Sequence, residues 1–216
     1  LYDKLGNEKI SQVLGVPCHK YATGYLRVEN LRGLENLIND EVENGSLLGI
    51  NVSAKDMFTL IGIESGGINA LNCYGDGGVP HLRIKFHRDV NPLNEEQSVR
   101  KAVKYVGELK RDLEKYGDPR FIFAGYNAGK ETVMKGIRSL QESGKPITYE
   151  NLSSSGMLPE TTISYVETVI EFQRKSDSEG LFIYDMETNS VKYVGPISGV
   201  SIKPPKVPQK KAKLFT

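Results

Sequence analysis

The sequence predicts a mainly α fold (α+β), a helical body with small β pieces attached. Three observations predict it. Apolar residues recur at helical spacing in several separate stretches, strict alternation is confined to short runs, and Gly, Asn or Pro stands wherever a periodic stretch stops. At 216 residues the chain is long enough for one real core with appendages. Hydrophobic residues at 38% and charged residues at 25% are globular proportions and exclude wholesale disorder.

Taken in order, Leu31, Leu34, Leu37 and Ile38 predict a helix over Val28–Glu43, ended by Asn44-Gly45. Ser53 is a good N-cap, and Asp56 three residues later makes a capping box with a shorter acid. Met57, Leu60, Ile61 and Glu64 follow at i, i+3, i+4 and i+7, so a carboxyl shares the face of the apolar side chains, and Gly66-Gly67 stops the helix. Residues 68–92 are rich in Gly, Asn and Asp; within them, His81 to His87 alternates and predicts a strand or hairpin beside the helix end. Asn94–Tyr116 is a long amphipathic helix with the stripe Val99, Ala102, Val103, Val106, Leu109, Leu113 and Tyr116. Gly117-Asp118-Pro119 breaks it and starts a helical element over Arg120–Gly144. Leu158-Pro159-Glu160-Thr161 opens another, through Tyr165, Val166, Val169, Ile170 and Phe172. Leu181–Tyr184 and Val191–Val194 flank Glu187–Ser190 as a hairpin.

The net charge of +1 gives no reason to expect nucleic acid as a partner. It is unevenly placed: five lysines and no acid follow residue 200, which leaves the first 200 residues at −4. Pro204, Pro205 and Pro208 favour an extended path there, and Val207, Leu214 and Phe215 are the apolar anchors expected to pack this tail on the body. No uncharged apolar run approaches the ~18–20 residues that span a bilayer, and no basic-then-apolar leader opens the chain, so neither a transmembrane segment nor a secretory signal is expected. Cys18 and Cys73 leave open one bridge or two buried thiols; they form no zinc-finger spacing.

A glutamate on an apolar face needs a reason. A salt-bridged acid at a helix end is the plain one. A general acid is the sharper one, because desolvation penalises the carboxylate and keeps a proton available near neutral pH. Glycoside cleavage needs such a donor at the leaving oxygen.

Ile63-Glu64-Ser65-Gly66, then Gly125-Tyr126-Asn127-Ala128-Gly129, then Leu158-Pro159-Glu160-Thr161 with Tyr165-Val166, resembles the soluble lytic transglycosylase family over roughly residues 49–175. Residue 125 is Gly where that family has Ala, and no Gly-Leu-Met-Gln segment follows Glu64. The resemblance implies a lysozyme-like domain over 49–176, preceded by an N-terminal helical extension (1–48) and followed by a β-hairpin extension (177–202) and the Pro/Lys tail (203–216). It implies Glu64 as catalytic acid/base, Ser65 at its shoulder holding substrate, and Tyr126 and Asn127 lining the cleft opposite, the phenol bonding the carboxyl or the sugar. Gly129 would allow close backbone approach and Tyr165 would flank the site. The substrate implied is bacterial peptidoglycan, cut at its MurNAc–GlcNAc bond with neither metal nor cofactor.

The whole chain also resembles the lysins of enveloped double-stranded RNA bacteriophages. This implies a virion-associated enzyme with other virion proteins as neighbours, acting in the host periplasm. Lysins of that group are described as cutting peptide cross-links, so a murein endopeptidase is the alternative, as is a hydrolytic muramidase, for which Asp76, Asp89 and Glu131 are the candidate second carboxylates. A peptidase would need a nucleophile–base pair or a metal, and Cys18, Cys73, His19, His81 and His87 have no recognisable ligand spacing, although His81 and His87 would share a face of a strand.

Overall fold

The Ser53 hydroxyl accepts the Asp56 amide at 3.4 Å and opens helix α2 (Ala54–Ser65) in a computed structural model that describes residues 18–19, 31, 33–67, 69, 71–72, 76–83, 86–179 and 182–194. Ala54, Met57, Phe58, Thr59, Leu60, Ile61 and Gly62 are all buried. A helix with so long a buried, apolar run belongs in the core of a fold. Each fully buried Phe, Leu, Ile or Met contributes roughly 1.5–3 kcal/mol of transfer free energy. Helix α1 (Leu34–Leu47) and α3 (Glu95–Leu113) pack on each other, and α1 also touches α2. After the 3-10 turn Glu114–Tyr116 come α4 (Arg120–Ala128), α5 (Lys130–Glu142), α6 (Tyr149–Ser154) and α7 (Glu160–Glu179). Helix α7 covers both α2 and α4. Leu31, Ile38, Phe58, Val103, Phe121, Phe172 and Phe182 belong to one core.

Helix α3 follows its sequence pattern closely. The Asn94 side chain accepts the Gln97 amide at 2.9 Å, and Val99, Ala102, Val103, Val106, Leu109 and Leu113 are buried. Glu95 and Glu96 occupy its first turn, Lys110 and Arg111 its last, each sign at the end where the helix dipole favours it.

Two small sheets complete the fold. Strands β1 (Cys18–His19), β2 (Leu71–Asn72), β3 (Asp76–Gly77) and β4 (Leu82–Arg83) form one sheet in that order, β1–β2 parallel and the rest antiparallel. Strands β5 (Phe182–Asp185) and β6 (Ser190–Tyr193) form a hairpin with Asp185 opposite Ser190. Two asparagines dock it: the Asn39 amide donates to the Val191 carbonyl and its oxygen accepts the Val191 amide, both at 2.9 Å. The Asn189 amide donates to the Val52 carbonyl at 2.8 Å while its oxygen accepts the Ala54 amide at 3.1 Å.

Several sequence expectations change. Helix α1 runs past Asn44-Gly45 to Leu47, because Gly45 lies against α3 where a Cβ would come within 3.0 Å of Val103. The helical element expected over Arg120–Gly144 is two helices broken at Gly129. Of the strand expected over His81–His87, Leu82–Arg83 is strand, His81 sits in a turn with φ of 48°, and residues 84–85 lie outside the described ones. Helix α6, capped by Thr148 on the Asn151 amide at 3.2 Å, was not expected. Its six residues are too few to show a period. The start of the first expected helix (28–30), Cys73 and the tail from 203 lie outside the described residues.

Candidate active site

Glu64 lies in the last turn of α2, its side chain 15% exposed. A carboxylate there faces the negative end of the helix dipole, so nothing in the helix itself favours its charge. It lines a cleft of ≈ 190 Å³ with Asp76, His81, Leu82, Phe86, His87, Tyr105 and the stretch Tyr126, Asn127, Ala128 and Gly129. The small sheet contributes Asp76 from β3 and His81 from the β3–β4 turn, α3 contributes Tyr105, and the end of α4 closes the far wall.

The β3–β4 turn is tightly determined. Gly78 has φ of 76°, and a Cβ there would lie 1.9 Å from the Pro92 carbonyl oxygen, so only glycine fits. The His81 amide donates to the Gly78 carbonyl at 3.1 Å. The His81 ring, 7% exposed, brings Nδ1 to 3.8 Å from Glu64 Oε2, an ion-pair distance beyond hydrogen-bond length.

Tyr126 corrects one expectation. Its hydroxyl donates to the Pro80 carbonyl at 2.8 Å, holding the turn instead of bonding the carboxyl. Burial, then the nearby charge of Glu64, pushes this phenol well above its ordinary value. Tyr165 of α7 is buried outside the cleft lining, with its hydroxyl directed to the Glu64 carboxyl but short of full hydrogen-bond geometry. Burial first, then the Glu64 charge, raises that phenol well above its ordinary value too, so both rings stay neutral.

Asn127 is exposed in the cleft, and its carbonyl oxygen accepts the Thr162 hydroxyl at 2.8 Å, which leaves its amide nitrogen as the group to offer a ligand. Gly129 is glycine for its backbone, φ 87° and ψ 143° at the α4–α5 break, and a Cβ there would meet nothing within 4 Å. Because Gly129 lines the cleft, that open space is where a ligand could approach its backbone closely. Ser65 stands beside Glu64, yet its hydroxyl closes the helix end, donating to the Ile61 carbonyl at 3.3 Å and accepting the Gly67 amide at 3.0 Å. That engagement argues against the substrate-holding role expected of it.

Of the three other acids singled out, Asp76 alone lines the cleft with Glu64; Asp89 pairs with Lys101 at 2.7 Å and Glu131 is exposed on α5. His87 packs edge-on against Tyr105 with ring centroids 5.5 Å apart. Burial, then the Lys101 charge, lowers His87 below 6.5 and keeps it neutral at pH 7. Sequence reasoning missed Tyr105, whose hydroxyl donates to the Gly125 carbonyl at 3.1 Å; no spacing marks one tyrosine at the margin of an apolar stripe. Phe86, 69% exposed at the cleft, falls within the alternating run from His81 to His87, which does not single it out.

Among the described residues, no group of three or more His, Cys, Asp or Glu is placed to hold a metal ion, and no helix is long and apolar enough to cross a membrane. Comparison with known proteins finds no matching family model, curated protein or solved structure.

Proposed function

We propose that this chain is a peptidoglycan-degrading lysin with a lysozyme-like domain over 49–176, cleaving the MurNAc–GlcNAc bond as a lytic transglycosylase with Glu64 as acid/base. One observation carries the reading: a carboxyl only 15% exposed, at the unfavourable end of an apolar helix, opening into a polar cleft. In this reaction Glu64 gives its proton to the glycosidic oxygen, and the electron pair of the breaking C–O bond stays with that oxygen. The substrate's N-acetyl group assists from within. The sugar's 6-hydroxyl then closes on the anomeric carbon and returns a proton to Glu64, leaving an anhydro ring. Neutral Tyr126 and Tyr165 add no competing charge beside the carboxyl. The resemblance to phage lysins supports a virion-carried enzyme that acts on the wall in the host periplasm beside other virion proteins.

A second reading, the hydrolytic muramidase, is favoured by Asp76, which shares the cleft with Glu64 and could activate water. Mass spectrometry of digested peptidoglycan decides between them. Anhydromuramyl ends are the expected product, reducing muramic ends would transfer the role to the Asp76 route, and free peptide amines would replace both by an endopeptidase.

A further inference from the structure

The structure assigns His81 a role that the family motifs do not contain: we infer that it is a positioning residue that holds the Glu64 carboxyl in place and balances its charge between the two halves of the reaction. The inference rests on the proposed role of Glu64. Three features of the fold converge on this histidine. Its backbone is left-handed at φ 48°, a conformation that is unfavourable for a residue with a Cβ. The strain is maintained by neighbours that leave the turn no alternative: Gly78 wedged on the Pro92 carbonyl, the Gly78–His81 hydrogen bond, and the Tyr126 hydroxyl fixed to Pro80 at 2.8 Å. The outcome is a ring 7% exposed with Nδ1 directed to Glu64 Oε2 at 3.8 Å. Backbone strain held in place by its surroundings is characteristic of sites where geometry serves function.

The chemistry gives this placement a purpose. When Glu64 protonates the glycosidic oxygen, a carboxylate is left in a cleft that the sugar has largely closed to water. When protonated, the His81 ring at 3.8 Å stabilises that carboxylate until the 6-hydroxyl, or a water in the hydrolytic route, returns the proton. His81 itself exchanges no proton with substrate. The other titratable groups around the pair are Asp76 on β3, His87 beyond β4, Tyr105 on α3, Tyr126 on α4 and Tyr165 on α7. Among them His87 is the other imidazole, and burial keeps it neutral at pH 7.

His81→Gly is the informative variant, because glycine adopts the left-handed turn without strain and the fold is preserved. On purified peptidoglycan, kcat is expected to fall about tenfold to a hundredfold with KM within about twofold, and added imidazole to restore part of the loss. The pH profile of kcat/KM is expected to lose one of its ionisations. Wild-type turnover in His81→Gly, or a loss that imidazole leaves untouched with an unchanged profile, would overturn the assignment. A measurement independent of turnover keeps the two proposals separable. Followed by NMR, His81 and Glu64 are expected to titrate as a coupled pair, the ring about one pH unit lower in Glu64→Gln than in the wild type, because no carboxylate can form beside it there. Identical titrations would remove the pairing even if Glu64 proves essential. Conversely, a wild-type protein inert toward peptidoglycan, with the titrations still separated, would sink the proposed function and leave the pair.

Discussion

Asn189 and His81 are the two non-glycine residues with left-handed backbone among those described, at φ 49° and 48°, and they stand at opposite ends of α2. Asn189 meets the N-terminal end. Its side chain binds the Ala54 amide at 3.1 Å, the Val52 carbonyl at 2.8 Å and the Tyr184 hydroxyl at 2.9 Å. Asparagine tolerates this conformation, and three hydrogen bonds offset what strain remains. His81 meets the C-terminal end with a ring whose Nδ1 lies a longer 3.8 Å from a carboxyl oxygen. The same backbone irregularity is thus a structural clasp at one end and part of a candidate site at the other. What separates them is whether the neighbouring polar groups are bonded within the fold or directed into a cleft.

The carboxyls of α2 repeat the contrast. Asp56 sits in the first turn, where the dipole favours an acid, and accepts from Gln173 at 3.4 Å. Glu64 sits in the last turn, where the dipole opposes one. The largest effect that tests the comparison is on activity. Glu64→Gln is expected to lower wall lysis by about a thousandfold or more, in the range that a missing acid/base and its electrostatics produce, with the melting temperature unchanged or raised. Lysis that survives in Glu64→Gln would make the two ends equivalent.

Next comes stability. Asn189→Gly relieves the backbone but removes all three hydrogen bonds, and is expected to cost about 2–3 kcal/mol in urea unfolding while leaving turnover intact. His81→Gly is expected to show the reverse, full stability and impaired turnover. If both variants lose stability and neither loses turnover, the contrast breaks. Ser53→Ala, which deletes the cap on the Asp56 amide, is expected to cost about 1 kcal/mol by the same measurement.

The smallest effect is a pH slope. Burial, opposed by Lys110, Lys55 and Gln173, raises the Asp56 carboxyl above 3.8 in the folded chain. The folded state therefore holds this proton more tightly than the unfolded one. Its contribution is fully present below pH 3.8 and is lost as pH rises through the folded value. Asp56→Asn is expected to flatten the pH dependence of unfolding in that window, and an unchanged slope would show that the group carries none of it.

The core helices were legible because the signals that make them are local. The Ser53 and Asn94 caps, the α3 stripe and the hairpin around Glu187–Ser190 all follow from residues a few positions apart. Glu64 was legible for the same reason: helical spacing alone sets it on the face of Met57, Leu60 and Ile61. The Gly129 break was missed because one glycine inside a helical pattern reads as tolerated until its φ is known.

What the sequence alone determined is most of the helices, their apolar faces and one acid on the wrong face. The tertiary structure decided which groups meet that acid. His81 and Asp76 come from a glycine-rich stretch without a helical period, and they reach the cleft only through pairings such as Leu71 with Gly77 and Asp76 with Arg83. The Tyr126 hydroxyl likewise found Pro80, a partner on another element that no spacing along the chain encodes. Helical order arises between neighbours in the chain, whereas the surroundings of a carboxyl arise from segments that only packing brings together.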